Sequence, residues 1–207
     1  MHRRFAPFLA LLLAVSAAAV RAEQLERPNS FVMSVKSGEV TLVDASQTIA
    51  GAEREFNDDA SNFLALEFET RARGEDVAVG GEIMRYTNRY RRATLTGGNY
   101  EDSMRTFALL ATGKFFFGEG RRFEPYLGGG VGVVQLHDYG GPIEGLAGGL
   151  AAKAVVGLQV RGDRFGGRLE LFHLQGAADD DKGDEIDASA NGVLLGATFF
   201  FGPRRPR

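Results

Sequence analysis

From about residue 30 onward, apolar and polar side chains alternate with a period of two rather than at helical spacing. In Phe63-Leu64-Ala65-Leu66-Glu67-Phe68-Glu69-Thr70-Arg71 the even positions are apolar or neutral, and the odd positions end in Glu67, Glu69 and Arg71. A strand points successive side chains to opposite faces, so this segment has one oily face and one increasingly charged face. In 152–161, Ala154, Val156, Leu158 and Val160 oppose Lys153, Gln159 and Arg161. In 168–173, Leu169 and Leu171 oppose Arg168 and Glu170. The last run sets Val193, Leu195, Ala197, Phe199 and Phe201 against Leu194, Gly196, Thr198 and Phe200. The pattern predicts eight strands, near 30–41, 61–71, 76–87, 104–117, 122–136, 150–161, 164–175 and 191–202. Each is about ten residues or a little more, the length a tilted strand needs to cross a bilayer. The Ala/Leu-rich stretch 143–158 also suits a helix, and periodicity alone does not decide it.

The connections sort by length. Strands two and three, four and five, and six and seven are joined by short turns at 72–75, 118–121 and 162–163. The other four connections are polar and run to roughly 13–19 residues, alternating with the short ones. Short turns at one end and long loops at the other describe an outer-membrane barrel, and an even strand number leaves both chain ends on the short-turn side. Aromatic residues follow the same division. Phe115, Phe116, Phe117, Phe123, Phe199, Phe200 and Phe201 fall at the short-turn ends, while Tyr86, Tyr90 and Phe172 fall near the opposite ends. Two girdles at the lipid headgroup levels are expected from that placement.

The N-terminus adds an address. Met1-His2-Arg3-Arg4 precedes an apolar run over 5–20 and a small-residue end at Ala22, the form of a secretory signal peptide. The domains expected are thus a signal over 1–22, a barrel over 23–202 and a short basic periplasmic tail over 203–207. Arg3, Arg4 and Arg21 are the only charged residues of 1–22, so the overall charge of −3 becomes −6 without them. That acidity argues against nucleic acid as a partner. With no cysteine, disulfides and thiol chemistry are excluded. No later stretch is apolar enough for a membrane helix.

Phe123-Glu124-Pro125-Tyr126-Leu127-Gly128-Gly129-Gly130-Val131-Gly132, Arg168-Leu169-Glu170-Leu171-Phe172 and the aromatic close of the last strand carry a resemblance. The chain resembles the OmpA/OmpX-like eight-stranded outer-membrane β-barrels over nearly all of 23–202. The resemblance implies an all-β, antiparallel, up-and-down transmembrane barrel in the bacterial outer membrane. It implies a structural or surface-interaction role as a monomer, with membrane lipid, lipopolysaccharide and the barrel-assembly machinery as partners. One departure is the tail 202–207 after Phe201, where such barrels often end on the aromatic residue itself.

If the apolar faces meet lipid, the opposite faces line a lumen. Lys36, Glu67, Glu69, Arg71, Glu82, Lys114, Lys153, Gln159, Arg168 and Glu170 lie on them. An eight-stranded barrel is only wide enough for side chains to fill it, so these charges are expected to pair and plug it. Gly128, Gly130 and Gly132 share one face of the fifth strand and leave room for long neighbours such as Lys153 or Arg168.

The sequence assigns no catalytic residue, no cofactor and no metal. The enzyme alternative rests on His173, in Phe172-His173-Leu174-Gln175, which is similar to the His-x-Ser of lipid A 3-O-deacylase barrels. Gln175 stands at the serine position and Glu185 lies in a loop, so the nucleophile that such chemistry requires is missing. The run 179–187 is dense in acid, but its spacing matches no EF-hand loop and charge runs are ordinarily solvated. On an external loop such acids could bridge through divalent ions to lipopolysaccharide phosphates, and Tyr90-Arg91-Arg92 offers a cation for the same phosphates. Two further alternatives are a small-solute channel of the OmpW type and a soluble, lipocalin-like barrel with its faces inverted.

Overall fold

The computed structural model describes residues 30–43, 46–49, 52–56, 61–71, 76–93, 99–117, 122–139, 146–179 and 185–201. The expected signal over 1–22 and tail over 203–207 lie outside them, as do 180–184 of the acidic run. The strands in chain order are β1 (Ser30–Leu42), β2 (Ser46–Ile49), β3 (Ala52–Phe56), β4 (Ser61–Arg71), β5 (Val77–Ala93), β6 (Asn99–Phe116), β7 (Phe123–Tyr139), β8 (Leu146–Arg161), β9 (Phe165–Asp179), β10 (Glu185–Asp187) and β11 (Ala190–Phe201). The ambiguous stretch at 143–158 is strand β8 from Leu146.

Eight of these strands close on themselves in the order β1, β4, β5, β6, β7, β8, β9, β11 and back to β1. Every pairing is antiparallel. The result is an up-and-down β-barrel without an open edge in its lower part. The short β2 and β3 form a hairpin that docks on the far end of β5, and β10 continues the line of β11 along β9.

The strands outrun their predicted limits at the long-loop end. β5 and β6 stay paired from Val77–Phe115 to Ala93–Asn99, and β7 with β8 reaches His137–Leu146. Parts of all four polar stretches expected to be loops are therefore strand. Tyr90-Arg91-Arg92 lies within β5, opposite Asp102, Glu101 and Tyr100.

The reason lies in how the two faces change along each strand. On β1, outward Phe31, Met33 and Val35 give way to Ser37, Glu39 and Thr41, while inward Ser34 and Lys36 give way to Val40 and Leu42. On β5, outward Val77, Val79 and Ile83 give way to Arg85 and Thr87, and inward Glu82 to Met84 and Tyr86. On β9, outward Leu169 and Leu171 give way to His173 and Gln175, and inward Arg168 and Glu170 to Phe172 and Leu174. The lower tier is oily outside and polar inside. The upper tier is polar outside and oily inside, like a soluble protein.

This exchange corrects the expected aromatic girdles. Phe31, Phe68, Phe115, Phe117, Phe123, Phe165 and Phe201 are exposed and form the outward belt at the short-turn end. Phe116 and Phe200, expected in that belt, are buried inside. Tyr86 and Phe172, expected in the opposite belt, also point inward, where Tyr86 stacks on Phe63 and Phe172 packs tilted against it, at ring-centroid distances of 6.1 and 5.6 Å. Each falls on the phase that is inward throughout its strand, and an end-of-strand position does not reveal that phase. The side chain of Tyr90 lies outside the described part.

Glycine makes the closed interior possible. Across the ladders, Gly196 faces both Lys36 and Arg168, Gly128 faces Lys114, Gly130 faces Lys153, Gly157 faces Tyr126 and Glu170, and Gly192 faces Phe172. A Cβ on Gly128 would lie 2.6 Å from Lys114 Cγ, and one on Gly196 2.7 Å from Lys36 Cγ. The space at Gly128 thus serves Lys114 rather than Lys153 or Arg168. Overpacking a filled core costs about 1–3 kcal/mol. Gly196→Leu should lower the urea midpoint of the refolded barrel, read by heat-modifiable gel mobility. Leu195→Ala on the outward face should leave that midpoint nearly unchanged in detergent.

Candidate functional site

The interior of the lower tier is the one concentration of charge among the described residues that the fold buries completely. Five cations (Lys36, Arg71, Lys114, Lys153 and Arg168) and five carboxylates (Glu67, Glu69, Glu82, Glu124 and Glu170) project into it, each at most 5 % exposed. Period-two alternation on seven strands places them there, since each occupies an inward phase.

Lys36 sits between three strands. Its Nζ lies 3.0 Å from Glu67 Oε2, 2.6 Å from Glu82 Oε1 and 2.7 Å from Glu170 Oε2. Glu67 and Glu82 are directly opposed in the β4–β5 register, an arrangement of like charges that destabilises a ladder unless a cation intervenes. Lys114 Nζ reaches Glu67 Oε2 at 2.6 Å, and Glu69 Oε1 and Glu170 Oε1 at 3.1 Å each. Lys153 donates to both oxygens of Glu82, at 2.9 and 2.7 Å.

Arg168 spreads its fork over two carboxylates, Nη1 to Glu67 Oε2 at 2.7 Å and Nη2 to Glu69 Oε2 at 2.6 Å. Its Nη2 also donates to Gln159 Oε1, and Gln159 Nε2 donates to Glu124 Oε2 at 2.9 Å. Arg71 Nη1 meets the same Glu124 oxygen at 3.2 Å and stacks over Phe116 at 4.3 Å. Tyr126 donates its hydroxyl to Glu170 Oε1 at 2.6 Å, and Lys114 and Arg168 lie over its ring. The structure therefore brings all ten sequence-designated lumen residues into one connected network.

Glu124 and Tyr126 were not among those ten. Their alternation in Phe123-Glu124-Pro125-Tyr126 is the signal that could have found them, since Phe123 and Leu127 mark the outward phase. The second omission is the apolar plug above the charges. Phe63, Met84, Tyr86, Met104, Leu110, Leu136, Phe172 and Leu174 are all buried there. Ile186 and Ala188, beside β11, are buried with them, and Tyr86 donates to the Ala188 carbonyl at 3.2 Å. The charged plug is thus joined by a second, apolar filling stacked on it.

His173 belongs to neither filling. It is exposed on the outer face just above Leu171, with Nδ1 2.8 Å from Oδ1 of Asn191, its register partner on β11. Gln175 is exposed on the same face, and Glu185 pairs with Asp179 in the β9–β10 ladder.

No protein family matches the sequence, and no curated protein resembles it. Solved structures do match the fold. The chain is similar to Neisserial surface protein A, with a TM-score of 0.51 at 10 % identity over 84 % of this chain and 97 % of that one. It is also similar to the outer membrane protein OprG of Pseudomonas aeruginosa, with a TM-score of 0.58 at 13 % identity over the same shares. The fold is that of the eight-stranded outer-membrane barrels.

Removing one partner from a buried ion cluster strands the others, at a cost of about 3–5 kcal/mol. Lys36→Met leaves Glu67 and Glu82 facing each other and should destabilise the refolded barrel by that order. Adding Glu82→Gln should recover part of the loss. A double-mutant cycle in urea measures the coupling, and strict additivity would show that Lys36 does not hold the pair apart.

Proposed function

We propose that the protein is a monomeric, non-conducting barrel of the bacterial outer membrane that holds a rigid surface for interaction above the bilayer. The exchange of faces carries this reading. Along β6 and into Phe117 just past its end, the outward residues Phe107, Leu109, Ala111, Phe115 and Phe117 are apolar, interrupted only by Gly113, and Arg105 follows above. Ten residue steps at about 3.3 Å each and about 40° of tilt make a band about 25 Å tall, the height of the hydrocarbon contact of such barrels. Above it the barrel keeps its ladders and acquires an oily core of its own, so the far connections ride on packed strands.

The two fillings support a closed lumen. The lower one is an ion network matched five to five, and the upper one is a packed apolar plug. On the outer face, Arg85 and Arg105 stand on adjacent strands just above the apolar band, with Thr87 facing Arg105 in the register. That position fits the phosphates of lipopolysaccharide, the lipid partner this reading assigns to the outer leaflet. Neither a catalytic residue nor a cofactor enters the proposal.

In planar bilayers the purified, refolded full chain should give no discrete conductance steps. Regular single-channel events would overturn the closed lumen and favour a small-solute channel. In cell envelopes the protein should resist carbonate extraction, and its release into the wash would overturn the membrane assignment in favour of a soluble barrel.

A further inference from the structure

The outward apolar band is not equally tall around the wall. Followed once around the barrel, the ladders that leave β1 at Val40–Gly192 return to it at Arg71–Ser30, ten residues lower. With strands about 4.8 Å apart and a rise of about 3.3 Å per residue, that shear is a tilt of about 40°. One residue therefore climbs about 2.5 Å along the barrel axis. On this scale the lower rim is level, with Phe31, Phe123 and Phe165 within about 3 Å of one height.

The upper rim slopes. Outward residues stay apolar or glycine for ten steps along β7, from Phe123 to Val133, and along β8, from Val160 to Leu150. On β9 they do so for six steps, from Phe165 to Leu171, before His173. On β1 they do so for four, from Phe31 to Val35, before Ser37 and Glu39. The band is therefore about 25 Å tall on β7 and β8, about 15 Å on β9 and about 10 Å on β1. β1 and β7 stand on opposite sides of the barrel, four strands apart in either direction, so the band is a wedge. Glu39, His173, Gln175 and Asn191 are exposed on the outer face of its short side.

The inner face agrees. On β9 the inward change from Glu170 to Phe172 coincides with the outward one, and on β1 Lys36 gives way to Val40 just above Val35. The short side is thus built on both faces for a boundary with water at that height. On β6 the inward change falls between Thr112 and Leu110 while the outer face stays apolar up to Phe107, so this wall is oily on both faces. A bilayer of even thickness would leave Glu39 and His173 in hydrocarbon. A lipid-facing charge is most destabilising near the midplane and tolerated at the interface. A bilayer meets a short apolar stretch by thinning beside it, at modest cost per ångström.

We propose that the wall of β9, β11 and β1 thins the bilayer beside it, drawing the headgroups of the outer leaflet down to Glu39, His173 and Asn191. The proposal rests on the membrane reading given above. The occupant of this face is the lipid headgroup layer, whose ammonium and hydroxyl donors suit Glu39 and whose phosphate and hydroxyl oxygens suit the amides of Asn191 and Gln175.

The chain has no tryptophan, so a single introduced indole is a unique reporter of depth. Ala111 on β6 and Leu171 on β9 each stand six residues above an outward phenylalanine of the lower rim, Phe117 and Phe165. Full-length Ala111→Trp, Leu171→Trp and Phe165→Trp chains are refolded into phosphatidylcholine vesicles brominated either near the headgroup end or near the methyl end of the acyl chains. Heat-modifiable mobility identifies folded protein. Methyl-end bromine should quench Ala111→Trp more, and headgroup-end bromine should quench Leu171→Trp and Phe165→Trp more. In an added E39L/H173L/N191L background the ratio for Leu171→Trp should invert, and H173L alone should shift it part of the way if the triple variant does not fold. Equal, deep quenching of Ala111→Trp and Leu171→Trp would overturn the thinning. A deep Phe165→Trp would replace it with a rigid tilt of the barrel. A shallow Ala111→Trp would mean that the tall side stands clear of the lipid, and would overturn it too. An unchanged ratio in the substituted background would show that these polar residues do not set the depth. No quenching at any position would overturn the membrane reading itself.

Discussion

Charge neutrality inside a closed, narrow space is the constraint on which the barrel depends. Eight strands enclose a bore that side chains fill, so a cation pointing inward must find its carboxylate there. Five meet five, with Lys36 between Glu67, Glu82 and Glu170, and with Glu67 shared by Lys36, Lys114 and Arg168. These contacts tie β1 to its neighbour β4 and to the non-adjacent β5 and β9, and β6 to the non-adjacent β4 and β9. Backbone ladders alone would permit the wall to slide or ovalise. Cross-bore ion pairs set its section, and the glycines opposite Lys36, Lys114 and Tyr126 let those side chains reach the axis.

A second constraint comes from the surroundings. A strand that leaves an oily environment for water must exchange its faces without breaking its ladder. β1 does so between Lys36 and Ser37, β5 between Ile83 and Met84, and β9 between Leu171 and Phe172. Two cores of opposite kind therefore stack within one wall. The lower is held by Coulomb attraction and the upper by apolar burial, so they respond differently to salt and temperature.

The strand count and the inward phase of the charged residues were legible in the sequence. Period-two alternation states which residues share a face, and Glu67, Glu69 and Arg71 declare that face unmistakably. The upper extensions of β5, β6, β7 and β8 were not legible, because the apolar residues move to the other phase where the faces exchange. A reading that follows one phase ends the strand there and takes the remainder for loop. Tyr86 and Phe172 were misplaced for the same reason: on an inward phase above the exchange, an aromatic residue is core, not girdle.

The sequence by itself determined the barrel class, the approximate strands and the set of charges that would have to share an interior, because alternation and loop length are local properties of the chain. Only the tertiary structure decided which charge meets which. Partners such as Lys36 and Glu170 lie 134 positions apart, and their contact exists only once the wall has closed. Closure of the ladder turns distant residues into neighbours, and no local pattern carries that information.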